Sequence, residues 1–198
     1  MTTAPFSGDW LRGMVRDSLM EPRRAAEALL KVALPADALW TWLALIAVLN
    51  GLLYNLAPPG GTDLDLILPA VLRAPLVLTG VVGVVMICMT WVFTAAGRSM
   101  GGRGQFYDML LVTCWLQSLR LIFQAAVEVV ANVSLGVAGL MSLVGGIWSL
   151  FILASFLTVV HRFPSPLKSV WVMIIAVFGV AFAMTFLLTL MGVQPPEV

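Results

Sequence analysis

The sequence predicts an all-α fold, namely a polytopic helical bundle of five transmembrane helices preceded by one or two amphipathic interfacial helices. Hydrophobic residues make up 61% of the 198 residues and charged residues only 11%, whereas soluble domains carry about 25% charged residues. The mean hydropathy is +1.01. Five runs are long and apolar enough to cover roughly 30 Å of hydrocarbon as helices. The chain is therefore predicted to be an integral membrane protein.

Residues 1–37 are predicted to form a cytoplasmic N-terminal segment. The segment mixes acidic and basic residues ahead of the first apolar run, unlike a secretory signal peptide, so we expect it to be retained. Apolar residues recur at helical spacing on both sides of Pro22, which predicts two short amphipathic helices. These helices either bind a membrane surface or partner, or simply pack under the bundle. The apolar positions are Trp10, Leu11, Met14, Val15, Leu19, Ala26, Leu29, Leu30, Ala33 and Leu34.

Residues 38–192 are predicted to form the membrane domain, followed by a short outer tail, 193–198. Turn-forming prolines and glycines separate most of the apolar runs. Between the third and fourth runs, "ANVSLGVAG" has turn-forming residues but no charge, so a partly re-entrant connection is open there. The predicted spans are 38–57, 74–97, 107–131, 136–161 and 169–192.

Basic residues predict the orientation of these spans, because Lys and Arg are retained on the cytoplasmic side. The N-terminal segment holds five of them. The loop between spans two and three has Arg98 and Arg103, and the loop between spans four and five has Arg162 and Lys168. The intervening loops supply only Arg73. We therefore expect a cytoplasmic N-terminus and an outer C-terminus.

The third span contains an arginine within a polar stripe. Thr113, Gln117, Arg120, Gln124 and Glu128 share one helix face. An arginine facing lipid costs at least about 2.5 kcal/mol, so the stripe should face the bundle interior or a wet cavity. Glu128 is the expected acidic partner, with Gln124 as a bridge. The stripe is either an anion, lipid-headgroup or substrate site, or a structural polar network.

A glycine-rich loop, "GRSMGGRGQF", joins the second and third spans. It contains Arg98, Gly101, Gly102, Arg103 and Gly104. A phosphate-binding loop would require Lys-Ser/Thr after its glycines and a strand before them, and neither is present. The loop is therefore interpreted as a tight turn whose glycines permit positive φ and whose arginines anchor the span ends.

Several function classes are disfavoured. A formal net charge of +1 gives no field to gather nucleic acid. Cys88 and Cys114 lie in apolar runs without metal-ligand spacing, so neither a metal nor another cofactor is expected. His161, the only histidine, is interpreted as an interfacial residue at a span end. Without a serine elbow or paired acids beside it, no enzyme is predicted.

Small residues at four-residue spacing follow one face of the fourth span. Ala138, Ser142 and Gly146 would let another helix approach closely. Packing within the bundle is the preferred interpretation, and a homo-oligomer remains open.

Two short stretches resemble the Yip family of Ypt/Rab-interacting proteins, which includes short bacterial members. They are "SLMEPRRAAEALL" before the first span and "GGRGQFYDMLLVTCWL" at the entry to the third. The resemblance implies a five-span domain with a cytoplasmic N-terminal region, expected here in a bacterial inner membrane. Eukaryotic relatives are linked to small GTPases and vesicle traffic. The N-terminal segment lacks their acidic-aromatic stretch, so GTPase partnership is not carried over.

The function predicted from these observations is non-enzymatic. The protein would organise the lipid bilayer or bind protein partners through its N-terminal segment and cytoplasmic loops. The alternative is a small transporter or channel component that uses the Arg120 and Glu128 stripe. The chain lacks the paired broken helices and internal repeats typical of transporters.

Overall fold

The computed structural model of the protein describes the backbone of residues 7–56 and 74–190, and the side chains of residues 7–53 and 74–181. Segment 57–73, which includes Arg73, lies outside the described residues, as do the predicted outer tail and the end of the fifth predicted span. The described part of the chain is helical, without strands. Its helices are α1 Gly8–Met20, α2 Pro22–Leu30, α3 Ala36–Leu56, α4 Pro75–Ser99, α5 Phe106–Ala131, α6 Leu135–Val160 and α7 Pro166–Leu190.

Local sequence explains how the first two helices begin. The Ser7 hydroxyl accepts a hydrogen bond from the Trp10 backbone N–H at 3.3 Å, which satisfies one of the free donors at the start of α1. Glu21 has φ −132° and ψ 61°, outside the helical region, and separates the two helices. Pro22 opens α2, at the position where its missing N–H costs nothing. The predicted pair of short helices is confirmed.

Four of the described helices are long and apolar enough to cross a membrane: α3 through Leu53, α4, α5 and α6. In α7 the described apolar part is Pro166–Ala181. The predicted helical membrane bundle is therefore confirmed. Helix α7 begins three residues earlier than expected because a proline is favourable in the first helical turn.

The connection between α5 and α6 is a short turn rather than a re-entrant segment. Helix α5 ends at Ala131 and α6 begins at Leu135. The Ser134 hydroxyl accepts a hydrogen bond from the Val137 N–H at 3.4 Å and caps α6. A capped start satisfies backbone donors without added charge, which explains how an uncharged linker ends one helix and starts the next.

Helix α5 lies at the centre of the bundle, in contact with α2, α3, α4 and α6. Residues 109–115 are all buried, so protein surrounds this part of α5 on every side. Helices α1 and α2, together called the arm, supply part of this enclosure. The end of the bundle that contains the arm, turn 100–105 and turn 161–165 is called the arm end. The most enclosed apolar side chains include Leu29, Leu110, Phe156 and Val172.

Candidate functional site

The predicted polar stripe is divided among different neighbours. Thr113 is buried and accepts a hydrogen bond at 3.2 Å from the Thr90 hydroxyl of α4. Arg120 Nε donates to Gln117 Oε1 at 2.8 Å, and its Nη2 donates to Asn50 Oδ1 of α3. The arginine therefore links two helices through neutral amide oxygens.

Glu128 is not the partner of Arg120. Within the described ranges the only ion pair joins Arg24 and Glu21, and no hydrogen bond involves the side chains of Gln124 or Glu128. Two helical turns separate the Arg120 and Glu128 backbones by about 12 Å. Asn50 lies on the adjacent helix, within direct reach of the guanidinium.

The distance of Arg120 along α5 does not by itself fix the depth of its guanidinium in the bilayer. Helix α5 has 26 residues, or about 39 Å of length, which exceeds a hydrocarbon core of roughly 30 Å. The first turns are enclosed by the arm, and Arg120 lies only about 8 Å beyond Trp115. The Arg120 side chain is exposed at the bundle surface. A guanidinium at this level can extend toward the interface.

The glycine-rich loop folds around a histidine. A Cβ atom added at Gly97 would collide with the His161 ring, and one added at Gly104 would lie 2.6 Å from its Nδ1. At Gly102 an added Cβ would lie 2.8 Å from the His161 Cβ. Of the described glycines, only Gly101 has a positive φ, at 83°. Most of the glycines in and beside this loop are thus required for space, not for backbone torsion.

Hydrogen bonds fasten the two turns of the arm end to each other. The Arg103 backbone N–H donates to the His161 carbonyl at 3.1 Å. Arg98 Nε donates to the Gly104 carbonyl at 3.0 Å. Lys168 Nζ reaches the Met100 carbonyl at 3.5 Å. Arg98 therefore closes its own loop, in addition to any contact with the membrane interface.

His161 lies at the end of α6, as expected, and its side chain is fully buried inside the protein. Its ring stacks on Phe163 with centroids 5.3 Å apart. Neither ring nitrogen makes a hydrogen bond of normal geometry. Burial lowers the pKa of His161; the nearby Phe93 carbonyl raises it in part, and the positive charge of Arg98 lowers it. The imidazole is thus held neutral.

Tryptophans hold the arm in the bundle. Trp115 Nε1 donates to the Ser18 hydroxyl at 2.9 Å, and both residues are buried. The Trp115 ring makes edge contacts with Trp10 and Trp42, with centroids 6.2 and 6.5 Å apart. Such aromatic pairs add about 0.5–1.5 kcal/mol beyond burial. The first half of the arm is therefore part of the packed core.

The turn between α1 and α2 lies beside the middle of α6. Trp148 Nε1 donates to the Leu19 carbonyl at 3.1 Å, and Trp148 is about 18 Å from the end of α6 at Val160. Leu19 is 41% exposed and Met20 73% exposed. These two residues, called the apolar tip, project from the side of the bundle. The arm therefore runs alongside the bundle as well as beneath it.

Sequence reasoning missed Asn50 and the enclosed position of His161. Asn50 could have been found as an amide inside an otherwise apolar helix, a type of residue that usually faces another helix. His161 carries no such local signal. Its glycine neighbours come from α4 and the following turn, some 57–64 residues earlier in the chain.

These features define a multi-pass helical membrane protein with a helical arm packed into one end of its bundle. A family model, the Yip1 domain, matches residues 16–193. The chain belongs to the Yip1 domain family, and the match includes the end of α1 and all of α2. Comparisons with curated proteins and with solved structures found no match.

Proposed function

We propose that this protein is a non-enzymatic membrane-organising protein whose arm inserts into the cytoplasmic leaflet. The observation that carries the proposal is the exposed apolar tip, Leu19 and Met20, at the end of α1 next to the junction with α2. Arg16, Arg23 and Arg24 lie close to it in the chain and are exposed. Apolar residues flanked by cations are typical of helices that lie in the headgroup region.

The arm end is proposed to be cytoplasmic. Turn 100–105 contains Arg103, turn 161–165 contains Arg162, and the arm contributes further basic residues. The turn at the opposite end, between α5 and α6, has no charged residue at positions 132–134. The positive-inside rule then places the arm end in the cytoplasm.

The attachment of the arm to the bundle determines its effect on the bilayer. Trp115 and Trp148 hold the arm through hydrogen bonds to Ser18 and Leu19. An arm fixed in this way occupies area in one leaflet only, which favours a curved or loosely packed bilayer. The same exposed surface is the proposed contact for protein partners. Catalysis is not part of the proposal, since the His161 imidazole is enclosed by glycines.

Reconstitution into vesicles tests the role of the apolar tip. We expect the wild-type protein to reduce the mean diameter of vesicles of defined lipid composition, and Leu19→Ser/Met20→Ser to lose most of that effect. Each buried apolar side chain contributes about 1.5 kcal/mol or more to insertion. Leu167→Ser is the control, because Leu167 is an exposed apolar residue, 63% exposed at the start of α7, that is not part of the apolar tip. Equal vesicle sizes for the wild type and the tip variant would reject the proposal.

Crosslinking in native membranes tests partner binding. Deleting the arm is unsuitable because Leu29 and Ser18 are fully buried, so the deletion would open the core. Arg12→Glu/Arg16→Glu instead reverses charge on the exposed face of α1. We expect the set of captured proteins to shrink with this variant. An unchanged set would leave bilayer organisation as the sole proposed role.

The alternative hypothesis, a transporter or channel component, is less well supported. Its expected Arg120 and Glu128 pair is replaced by the contact between Arg120 and Asn50. That contact favours a structural polar network between α3 and α5. Flux assays with reconstituted wild-type protein and Arg120→Leu decide the matter. Arginine-dependent flux above empty vesicles for any member of a broad solute panel would restore the transport hypothesis.

A further inference from the structure

An open cavity of about 630 Å³ lies at the arm end, between α2 and the turn that follows α6. Three cationic side chains line it, Arg23, Lys31 and Arg162, together with one carboxylate, Glu27. The remaining wall is largely apolar and comprises Leu30, Thr158, Val159 and Phe163. The cavity is therefore positively charged and has a largely apolar wall.

The cations of this cavity are not neutralised by the protein. Arg23, Glu27 and Lys31 follow each other at four-residue spacing, so they lie along one face of the arm. Even so, Glu27 lies within ion-pair distance of neither cation in the described structure, where the only ion pair is Arg24 with Glu21. Glu27 and Lys31, although only four residues apart, are thus not in ionic contact. A net positive charge remains available to a ligand.

Arg162 occupies a position that ordinarily favours glycine. Helix α6 ends with two bonds of a Schellman motif, from the Phe163 N–H to the Thr158 carbonyl at 2.9 Å and from the Arg162 N–H to the Val159 carbonyl at 3.1 Å. In this motif the residue at the Arg162 position adopts the left-handed conformation, and Arg162 has φ 53°. A side chain there is disfavoured. Strained positions of this kind are concentrated at ligand sites.

We propose that this cavity binds the phosphate group of an anionic ligand, either a phospholipid headgroup or a soluble phosphate ester. Guanidinium groups such as those of Arg23 and Arg162 donate paired hydrogen bonds to phosphate oxygens. The Lys31 ammonium adds a third positive charge. The apolar wall of Leu30, Val159 and Phe163 accommodates the carbon skeleton next to the phosphate. Basic cavities beside membrane helices are suited to anionic headgroups.

Thermal unfolding of the full-length protein in neutral detergent tests the proposal. The probes are phosphatidylglycerol and phosphatidylcholine at equal mole fraction in mixed micelles, and free glycerol phosphate without added lipid. The cavity variant is Arg23→Gln/Lys31→Gln/Arg162→Asn, in which asparagine tolerates the left-handed conformation. The control, Arg103→Gln, removes an exposed arginine of the arm end that does not line the cavity.

We expect phosphatidylglycerol to raise the Tm of the wild type and the control. In the cavity variant, the lipid concentration that gives half of the maximal Tm shift should be at least about tenfold higher. A Tm shift with phosphatidylglycerol alone assigns a lipid headgroup, and a shift with glycerol phosphate assigns a soluble ester. No shift with either probe, or equal shifts in the cavity variant and the control, overturns the proposal.

Glu27→Gln supplies a test that does not depend on the stability of the triple variant. Removing the only carboxylate of the cavity should strengthen binding of the anionic probe. Unchanged or weaker binding contradicts the proposed site. Neither Leu19 nor Met20 lines the cavity. A negative result here therefore leaves the proposed function, which is tested at those two residues, standing and can be told apart from its failure.

Discussion

At the scale of single residues, the arm end depends on the fit between His161 and the glycines around it. Gly97, Gly102 and Gly104 leave room for the imidazole where any Cβ would intrude. Protein interiors are packed so closely that a single added carbon atom disturbs the packing. The loop residues and the histidine therefore act as a single packing unit, although the histidine lies on a different turn.

Gly97→Ala should destabilise the protein by about 1–3 kcal/mol, the usual cost of overpacking a well-packed site. Gly80→Ala in the same helix is the control, because a Cβ there meets nothing within 4 Å. This control should be neutral or stabilising by up to about 1 kcal/mol. Unfolding in denaturant-containing micelles measures both free energies. Equal stabilities for the two variants would contradict the enclosure of His161.

The stability of the protein should fall as the pH drops below the ordinary histidine pKa of about 6.5. Burial lowers the folded-state pKa of His161, so between the two pKa values only the unfolded chain binds the proton. Stability contributed by the neutral ring is present above pH 6.5 and declines by up to about 1.4 kcal/mol per pH unit below it.

His161→Phe is the control for this pH dependence, because it keeps a ring stacked on Phe163 without a titrating group. Free energies of unfolding at pH 7.5 and pH 5.5 should differ less in the variant than in the wild type. The other charged groups near the ring are the guanidinium groups of Arg98 and Arg162. The same pH dependence in both proteins would show that another group is responsible.

At the scale of helices, the arm and the first turns of α5 stabilise each other. Residues 109–115 of α5 are buried, although a helix in contact with lipid normally exposes one face. The arm covers that face with Leu29 and its other apolar residues, and with Ser18, which accepts the hydrogen bond from Trp115. The apolar face of the amphipathic arm thus packs against a segment of α5 that is buried on all sides.

Trp115→Phe should cost about 1–2 kcal/mol, since it removes the indole N–H and leaves the buried Ser18 hydroxyl unpaired. Ser18→Ala should cost a similar amount. The double variant should cost clearly less than the sum of the two, because both changes remove the same hydrogen bond. Unfolding free energies in micelles complete the double-mutant cycle. Additive costs would contradict a direct bond between the arm and α5.

At the scale of the whole molecule, the two ends of the bundle differ, because the arm and most of the basic residues of the described turns lie at the same end. The arm, turn 100–105 and turn 161–165 meet at one end of the bundle. That end is proposed to be cytoplasmic from the positive-inside rule, and the proposed leaflet insertion and the proposed phosphate-binding cavity both lie there.

Labelling with a membrane-impermeant maleimide tests this orientation, after both native cysteines have been replaced. Arg12→Cys and Arg103→Cys should react in inside-out vesicles only. Ser134→Cys, in the turn between α5 and α6, should react in right-side-out vesicles only. Labelling of Arg103→Cys and Ser134→Cys from the same side would refute the helix topology itself.

Much of the fold was predictable from sequence, but less of the candidate site. Length and hydropathy identified the membrane helices, because an apolar run of about 20 residues has the length and composition of a membrane-spanning helix. The polar stripe was recognised from helical spacing, yet its partner was misassigned. Helical spacing reports which residues share a face of one helix, whereas Asn50 belongs to a neighbouring helix.

The sequence alone determined that this protein is a helical membrane bundle with an amphipathic arm and a basic end, because periodicity and charge act locally along the chain. Only the tertiary structure decided that the arm is built into the core, that His161 sits among glycines and that Arg23, Lys31 and Arg162 line one cavity. These relations depend on side chains brought together from distant helices. Their contact distances follow from packing in three dimensions, and no local pattern records them.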